Sequence, residues 1–224
     1  MTDQKPIAYD AYQQLADRYA ARVDTKPHNA YYELPAMLSL MPDVSGCRVL
    51  DAGCGTGLYT AWLLDHARTR TEGRADLRLH DLSQPVPFLP DETFDLVVSS
   101  LVLHYLEDWR VPLGEFHRVL RPDGLLLFST GHPAKEMKFS PSGAYFQTEL
   151  TGAYWHGFGG EPIFVPFFRR PLTAITEALY HAGFMIERLI EPQPTETFRQ
   201  ADPDHYAKLL QMPDFLCIRA RRTS

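Results

Sequence analysis

The chain has 224 residues, 45% hydrophobic and 22% charged, which suits one α/β-sized domain with enough apolar material for a substantial core. Its net charge of -6 argues against broad affinity for nucleic acid phosphates. No apolar run is long enough to span a bilayer, and the N-terminus lacks the basic-then-apolar order of a signal peptide, so a cytoplasmic protein with no membrane partner is expected. Three cysteines, Cys47, Cys54 and Cys217, form no Cys-x-x-Cys pair, which argues against a disulfide framework and against zinc; no metal is expected.

In chain order, Ile7, Leu15, Tyr19 and Val23 recur at helical spacing, so the pattern predicts an amphipathic helix over residues 7–23, with a second over 29–40. These form an N-terminal helical cap over 1–45. A short apolar run, 47–50, reads as a buried strand, and "LYTAWLLDHAR" as the helix that follows its glycine loop. Residues 75–80 alternate like a strand and 94–100 read as another, followed by helix or turn through His104 and Tyr105. A helix over 111–120, a turn at "RPDG" and a strand at "LLLFST" come next. Residues 132–170 lose periodicity and are rich in Gly, Pro and aromatics, which predicts a lid or substrate lobe with short strands of its own. A helix from Leu172 capped by Gly183, a strand "FMIERLI", a helix near 204–211 and a strand "FLCIRAR" complete the chain. Strands alternating with helices predict a single α/β domain, a Rossmann-like and mostly parallel sheet with helices on both faces.

The stretch "VLDAGCGTGLYT", residues 49–60, carries the most chemistry. Glycines between a buried strand and a helix let backbone approach a ligand and turn unpaired N–H groups toward it. The spacing is GxGxG, with Leu58 where a dinucleotide fingerprint has its third glycine, and no Lys-Ser/Thr pair follows to make a P-loop. Asp51 would repel a pyrophosphate but suit a ligand carrying an ammonium group.

Here the residues resemble a family. "VLDAGCGTG" looks like the first motif of class I S-adenosylmethionine-dependent methyltransferases; "HDLSQPVPFLPDETFDLVVSSLVLHYLEDW" and "FHRVLRPDGLLLFS" resemble the blocks that follow it. The match is closest to the small-molecule branch that includes ubiquinone biosynthesis methyltransferases. The resemblance implies S-adenosylmethionine as cofactor and a small-molecule methyl acceptor. It places Asp51, Gly53 and Gly55 against the methionine part, with Cys54, Thr56 and Gly57 shaping the loop. Asp81 would accept from the adenine amino group, the Leu82 amide would donate to the ring, and Ser100 would lie beside the sulfonium. Tyr9 and Tyr19, on a helix that closes over the cofactor in similar proteins, are weaker candidates.

The chain departs from that pattern after the first helix, where about one strand and one helix are absent, together with the acid that binds the ribose hydroxyls. By spacing alone Asp81 is itself a candidate for that acid; by its flanking residues it is the adenine-side acid. A crossover placing strand 75–80 beside strand 47–50 would fill the gap. The shortened βα unit predicts weakened cofactor affinity, and an exposed sheet edge would favour a homodimer, by edge pairing or by domain swapping.

Candidate bases are His104 and His132, each just past a central strand, with a packing role as the plainer alternative for both; His156 is a further candidate. Cys54 reads as a small loop residue, Glu107 and Asp108 as a solvated pair, and Arg169 and Arg170 as surface residues more than carboxylate ligands. The aromatics of 145–168 either wall a substrate or close the lobe's own core. Two other functions remain open from sequence: a binding or scaffolding relative without cofactor, and an NAD-dependent oxidoreductase, which Leu58 and Asp51 disfavour.

Overall fold

A computed structural model of the chain describes residues 6–22, 25–55, 57, 59–60, 75–156 and 159–223. Helix α1 spans Tyr9–Ala20 and buries Ala11 and Leu15. A single π-helical turn, Asn29–Glu33, runs without a break into α2, Leu34–Leu40, so the predicted second helix is one continuous element with a widened first turn. Strand β1, Val49–Asp51, is short; β2 spans Phe94–Ser100, and a 3-10 turn, Leu103–Tyr105, follows it. Then come α3 (Arg110–Val119), β3 (Leu120–Gly131) and the four-residue α4 (Pro133–Glu136). Strands β4 (Glu149–Trp155) and β5 (Ile163–Arg169) precede α5 (Leu172–His181), β6 (Phe184–Ile190), α6 (Glu196–Ala201), α7 (Pro203–Leu209) and β7 (Phe215–Arg222).

The main sheet has the order β1-β2-β3-β7-β6. β1, β2 and β3 are parallel, and β7 is antiparallel to both β3 and β6, so four of the five strands run one way. Period-two alternation separates two cores. Val97, Leu126, Phe128, Ile218 and Ala220 pack under α3 and α5, while Leu96, Val98, Leu127 and Cys217 pack under α2 and Tyr59. That double burial explains why β2 reads as a continuous apolar run rather than an alternating one. No described helix is long and apolar enough to cross a membrane.

Residues 75–80, expected to pair beside β1, form no strand: Leu77 and Leu79 are exposed, and Arg78 folds back on Asp76 at 2.7 Å. Alternation sets which faces a strand would show, but it supplies no partner edge, and among the described residues β1 pairs with β2 alone. The expected turn at 121–124 is carried inside β3. Phe94 pairs with Leu120 and Leu96 with Leu125, so four residues bulge opposite Asp95, with Asp123 at φ 64°. Helix α6 went unpredicted; Thr195 caps it, its Oγ1 accepting from the Phe198 N–H at 3.2 Å. Most of the helix expected after the glycine loop, and Thr56, Leu58 and Phe158, lie outside the described residues.

Candidate active site

The site grows from the carboxyl end of β1. Asp51, its last residue, accepts from the Thr60 hydroxyl at 2.7 Å, and burial raises its carboxyl above the ordinary range while the Thr60 bonds pull it down. The Ala52 N–H donates to Val98 O at 2.8 Å and the Ser99 hydroxyl donates to Ala52 O at 3.0 Å, so the backbone follows β2 one residue further before the loop leaves it. Gly53 then adopts φ 91°, and any Cβ there would collide with the Val102 side chain. Gly55 (φ 54°) and Gly57 (φ 89°) differ: among the described residues, a Cβ on either would meet nothing closer than 3.9 Å. The loop is therefore pinned at Gly53 against the turn after β2 and open at its other two glycines. Cys54 lies in it partly exposed, its thiol pushed up by burial and by the Asp51 charge, the reverse of what an activated nucleophile needs.

Behind the loop stands a residue that sequence reasoning missed. Glu33, at the end of the π-helical turn, is 1% exposed. Its Oε1 accepts from Ser129 at 2.5 Å and from Ser100 at 2.9 Å, and its Oε2 accepts from the Tyr59 hydroxyl at 2.7 Å. One carboxyl group thus ties the N-terminal cap to the carboxyl ends of β2 and β3 and to the first turn after the glycine loop. Burial raises it, and the three hydroxyl bonds oppose that rise. Only the widened helical turn hints at it, since π turns gather at functional sites. Ser100, expected beside the sulfonium, spends its hydroxyl proton on this hub.

Asp81 and Leu82 occupy the turn that replaces the expected strand. Asp81 Oδ1 accepts from the Ser83 N–H at 2.9 Å, and Leu82 packs against the core on the α3 side, the cluster that also takes Leu50 and Ala52.

A second group forms beyond the ends of β2 and β3. The hydroxyls of Tyr12 and Tyr105 lie 2.9 Å apart; Tyr12 also meets Tyr19 (5.9 Å between ring centres) and Trp155 (6.1 Å) edge to face. Tyr19 thus joins the aromatic group around α1, as Trp155 does from β4. His104 is 9% exposed, its ring 4.2 Å from that of Tyr105 and 6.2 Å from that of Phe167. Burial and nearby Arg170 push it down to about 3, so it is neutral at physiological pH. His132 turns elsewhere. Its Nε2 lies 2.8 Å from Glu191 Oε1, just past β6, the edge strand farthest in the sheet order from β1. His156 lends its carbonyl to Lys26 Nζ at 3.3 Å.

Arg169 and Arg170 are not surface residues. Arg169 is 1% exposed and donates to the carbonyls of Gln147 (2.6 Å), Tyr145 (2.9 Å) and Ala144 (3.0 Å), locking the loop before β4. Arg170 lies 4.2 Å from the ring centre of Trp109 and donates to Leu106 O at 2.6 Å. Their long stems pack inward because each guanidinium finds carbonyls to bond. The lobe aromatics divide. Phe167 and Phe168 are buried, whereas Phe146, Tyr154 and Phe164 are exposed. Glu107 is exposed, and Asp108, half in solvent, pairs with Arg110 at 2.5 Å.

Two hollows outside this region, about 460 Å³ beside Trp109 and Arg170 and about 220 Å³ at the opposite ends of the strands near Asp95 and Arg121, touch none of the glycine-loop residues.

Known proteins with the same arrangement decide the family. A family model described as "Methyltransferase domain" matches residues 50–128, from β1 through β3. The solved S-adenosylmethionine-dependent methyltransferase of Mesorhizobium loti is 27% identical and superposes with a TM-score of 0.66 over 89% of this chain and 100% of its own. Residues 50–128 of this chain thus carry a methyltransferase domain of the S-adenosylmethionine-dependent class. The malonyl-[acyl-carrier protein] O-methyltransferase of Yersinia pestis is 31% identical over 57% of this chain and 51% of its own, so the chain spans about half the length of that curated relative. The N-methyltransferase NodS of Bradyrhizobium japonicum, solved with S-adenosylhomocysteine, shares the fold at 18% identity, with a TM-score of 0.57 over 98% of this chain and 100% of its own. The cofactor of this methyltransferase is S-adenosylmethionine, and the loop suits it: two glycines open to an approaching ligand stand next to a carboxylate at the strand end.

Proposed function

We propose that this methyltransferase transfers the methyl group of S-adenosylmethionine to a small molecule held between α1, the Leu103–Tyr105 turn and the β4–β5 hairpin. The observation that carries the reading is the pairing of the open glycines Gly55 and Gly57 with Asp51 at one end of the sheet, next to an aromatic enclosure made by Tyr12, Tyr19, Tyr105 and Trp155. Asp51 takes the ammonium of the methionine part, the Gly53–Gly57 backbone, with Cys54 and Thr56 in it, follows that part closely, and Asp81 with the Leu82 amide meets the adenine. Ser100, oriented by Glu33, borders the sulfonium.

The bound donor supplies an already activated methyl group, so the chain's work is to align the acceptor in line, hold it close and exclude water. The aromatic rings do the first two, and the hairpin, acting as a lid, does the third. With the ribose-binding unit shortened, affinity falls by about 1.5 to 3 kcal/mol for each charge-assisted bond lost, roughly 10- to 150-fold per bond.

Calorimetric titration with S-adenosylhomocysteine tests the reading. Wild type should bind in the micromolar range or more weakly, and Asp51→Ala and Asp81→Ala should each lose that binding. Wild-type affinity in Asp81→Ala would remove this residue from the pocket, and no heat from wild type at any practical concentration would refute cofactor use.

A further inference from the structure

Glu136 is the last residue of α4, four-residue helix that leaves the end of β3. Its carboxyl lies directly over the Cα of Gly131, the final residue of β3, in the space a side chain there would fill. β1 ends in Asp51, and β3 lies two strands away, roughly 10 Å at the usual strand spacing. The crevice outside adjacent parallel strand ends is where open α/β sheets hold their ligands.

Around this carboxyl the chain has placed charge but no hydrogen bond from any described residue. Arg169 and Arg170, at the end of β5, act on it electrostatically, and it acts on Tyr105, whose hydroxyl meets that of Tyr12. Glu136 is half-buried, so a ligand can reach it. By contrast Glu33 accepts three hydroxyls and Asp51 accepts one. Glu136 thus keeps its carboxyl oxygens free for an incoming donor.

We propose that Glu136 is the catalytic base of this site, taking the proton from the hydroxyl of a phenolic acceptor that stacks among Tyr12, Tyr105 and Trp155. As the acceptor oxygen forms its bond to the methyl carbon, the carbon–sulfur bond breaks, its electron pair stays on sulfur as a neutral thioether, and the hydroxyl proton moves to the Glu136 carboxylate. Charge balances, because the sulfonium and the carboxylate are both neutralised. Burial raises Glu136 to about 8, against the pull of Arg170 and Arg169, which matches its basicity to neutral working conditions. His104, held at about 3, is too weak a base for the task.

The proposal rests on the acceptor region described above but not on cofactor affinity, so the two are tested apart. The Glu136 side-chain carboxyl signal, assigned by its loss in Glu136→Gln, is titrated by carbon NMR with and without 4-methylphenol, first in the free protein and then with S-adenosylhomocysteine. A neutral phenol donating to the carboxylate should lower the titration midpoint by at least half a pH unit, and the midpoint should not move in Tyr12→Ala, where the stacking wall is broken. If the probe leaves the midpoint unchanged in both states, the proposal is overturned. If S-adenosylhomocysteine does not bind, the free-protein titration still decides the case for Glu136, and only the cofactor reading fails.

Discussion

Gly53 and Gly55 sit two residues apart in one loop, yet they serve different ends. At Gly53 both the backbone (φ 91°) and the Val102 side chain forbid a Cβ, so Gly53→Ala should lower stability by about 1 to 3 kcal/mol, read as a shift in the urea midpoint. At Gly55 only the φ of 54° resists substitution, so Gly55→Ala should cost about 1 kcal/mol or less in stability while weakening S-adenosylhomocysteine in calorimetry. Equal stability losses for the two would contradict a loop pinned at one point and open at the other. Glu33 calls for the opposite comparison. Glu33→Gln keeps an acceptor for the Ser100 and Ser129 hydroxyls and turns its N–H groups on Tyr59, whose oxygen can accept, whereas Glu33→Ala strands all three hydroxyls and should cost at least about 1 to 3 kcal/mol more in denaturant titration.

Among elements, the β4–β5 hairpin is tied to the loop that precedes it by Arg169. That guanidinium answers three loop carbonyls and an ion pair with Glu149 at 3.2 Å. Arg169→Met should keep most of the apolar volume while releasing residues 140–148, so limited proteolysis should cut there faster while fragments of the main sheet stay intact. Uniform cutting across the chain would mean that the arginine supports the whole fold. Sequence misread this residue because a charged side chain next to another reads as surface, and the carbonyls that justify its burial come from a loop over twenty residues away.

For the whole molecule, buried carboxyls set an unusual pH dependence. Glu33, Asp51 and Glu136 are all raised, and Glu136 reaches about 8 from an ordinary 4.5. The native state therefore holds protons that the unfolded chain has released, and stability falls as pH rises from about 4.5 to about 8. Asp108 and Glu115, lowered by hydrogen bonds from Arg110 and Arg118, act in the other sense and lose their contribution in acid. Stability should peak on the acid side of neutrality, and Glu33→Gln with Glu136→Gln should flatten the alkaline limb of urea midpoints measured from pH 4 to 9. An unchanged limb would show that these groups are not the source.

How much of this the sequence disclosed follows from the range of each interaction. The glycine loop, the position of Asp51 at the end of the strand before it and the mostly parallel sheet rest on local spacing, and they are legible. Glu33 and Glu136 were not, since each takes its meaning from groups far away in the chain: Ser129 is 96 residues from Glu33. The misassigned strand at 75–80 failed for the related reason that pairing needs a neighbour as well as a pattern.

β1 is three residues long and, among the described residues, bonded on one side only, yet it carries the ligand loop. The strands that keep the domain folded, β2, β3 and β7, lie inside it. Function and folding therefore reside on parts of unequal durability. On slow heating, the amides of Val49–Asp51 should exchange with deuterium well before those of Leu126–Phe128, and catalysis should be lost at temperatures where circular dichroism still reports an intact protein.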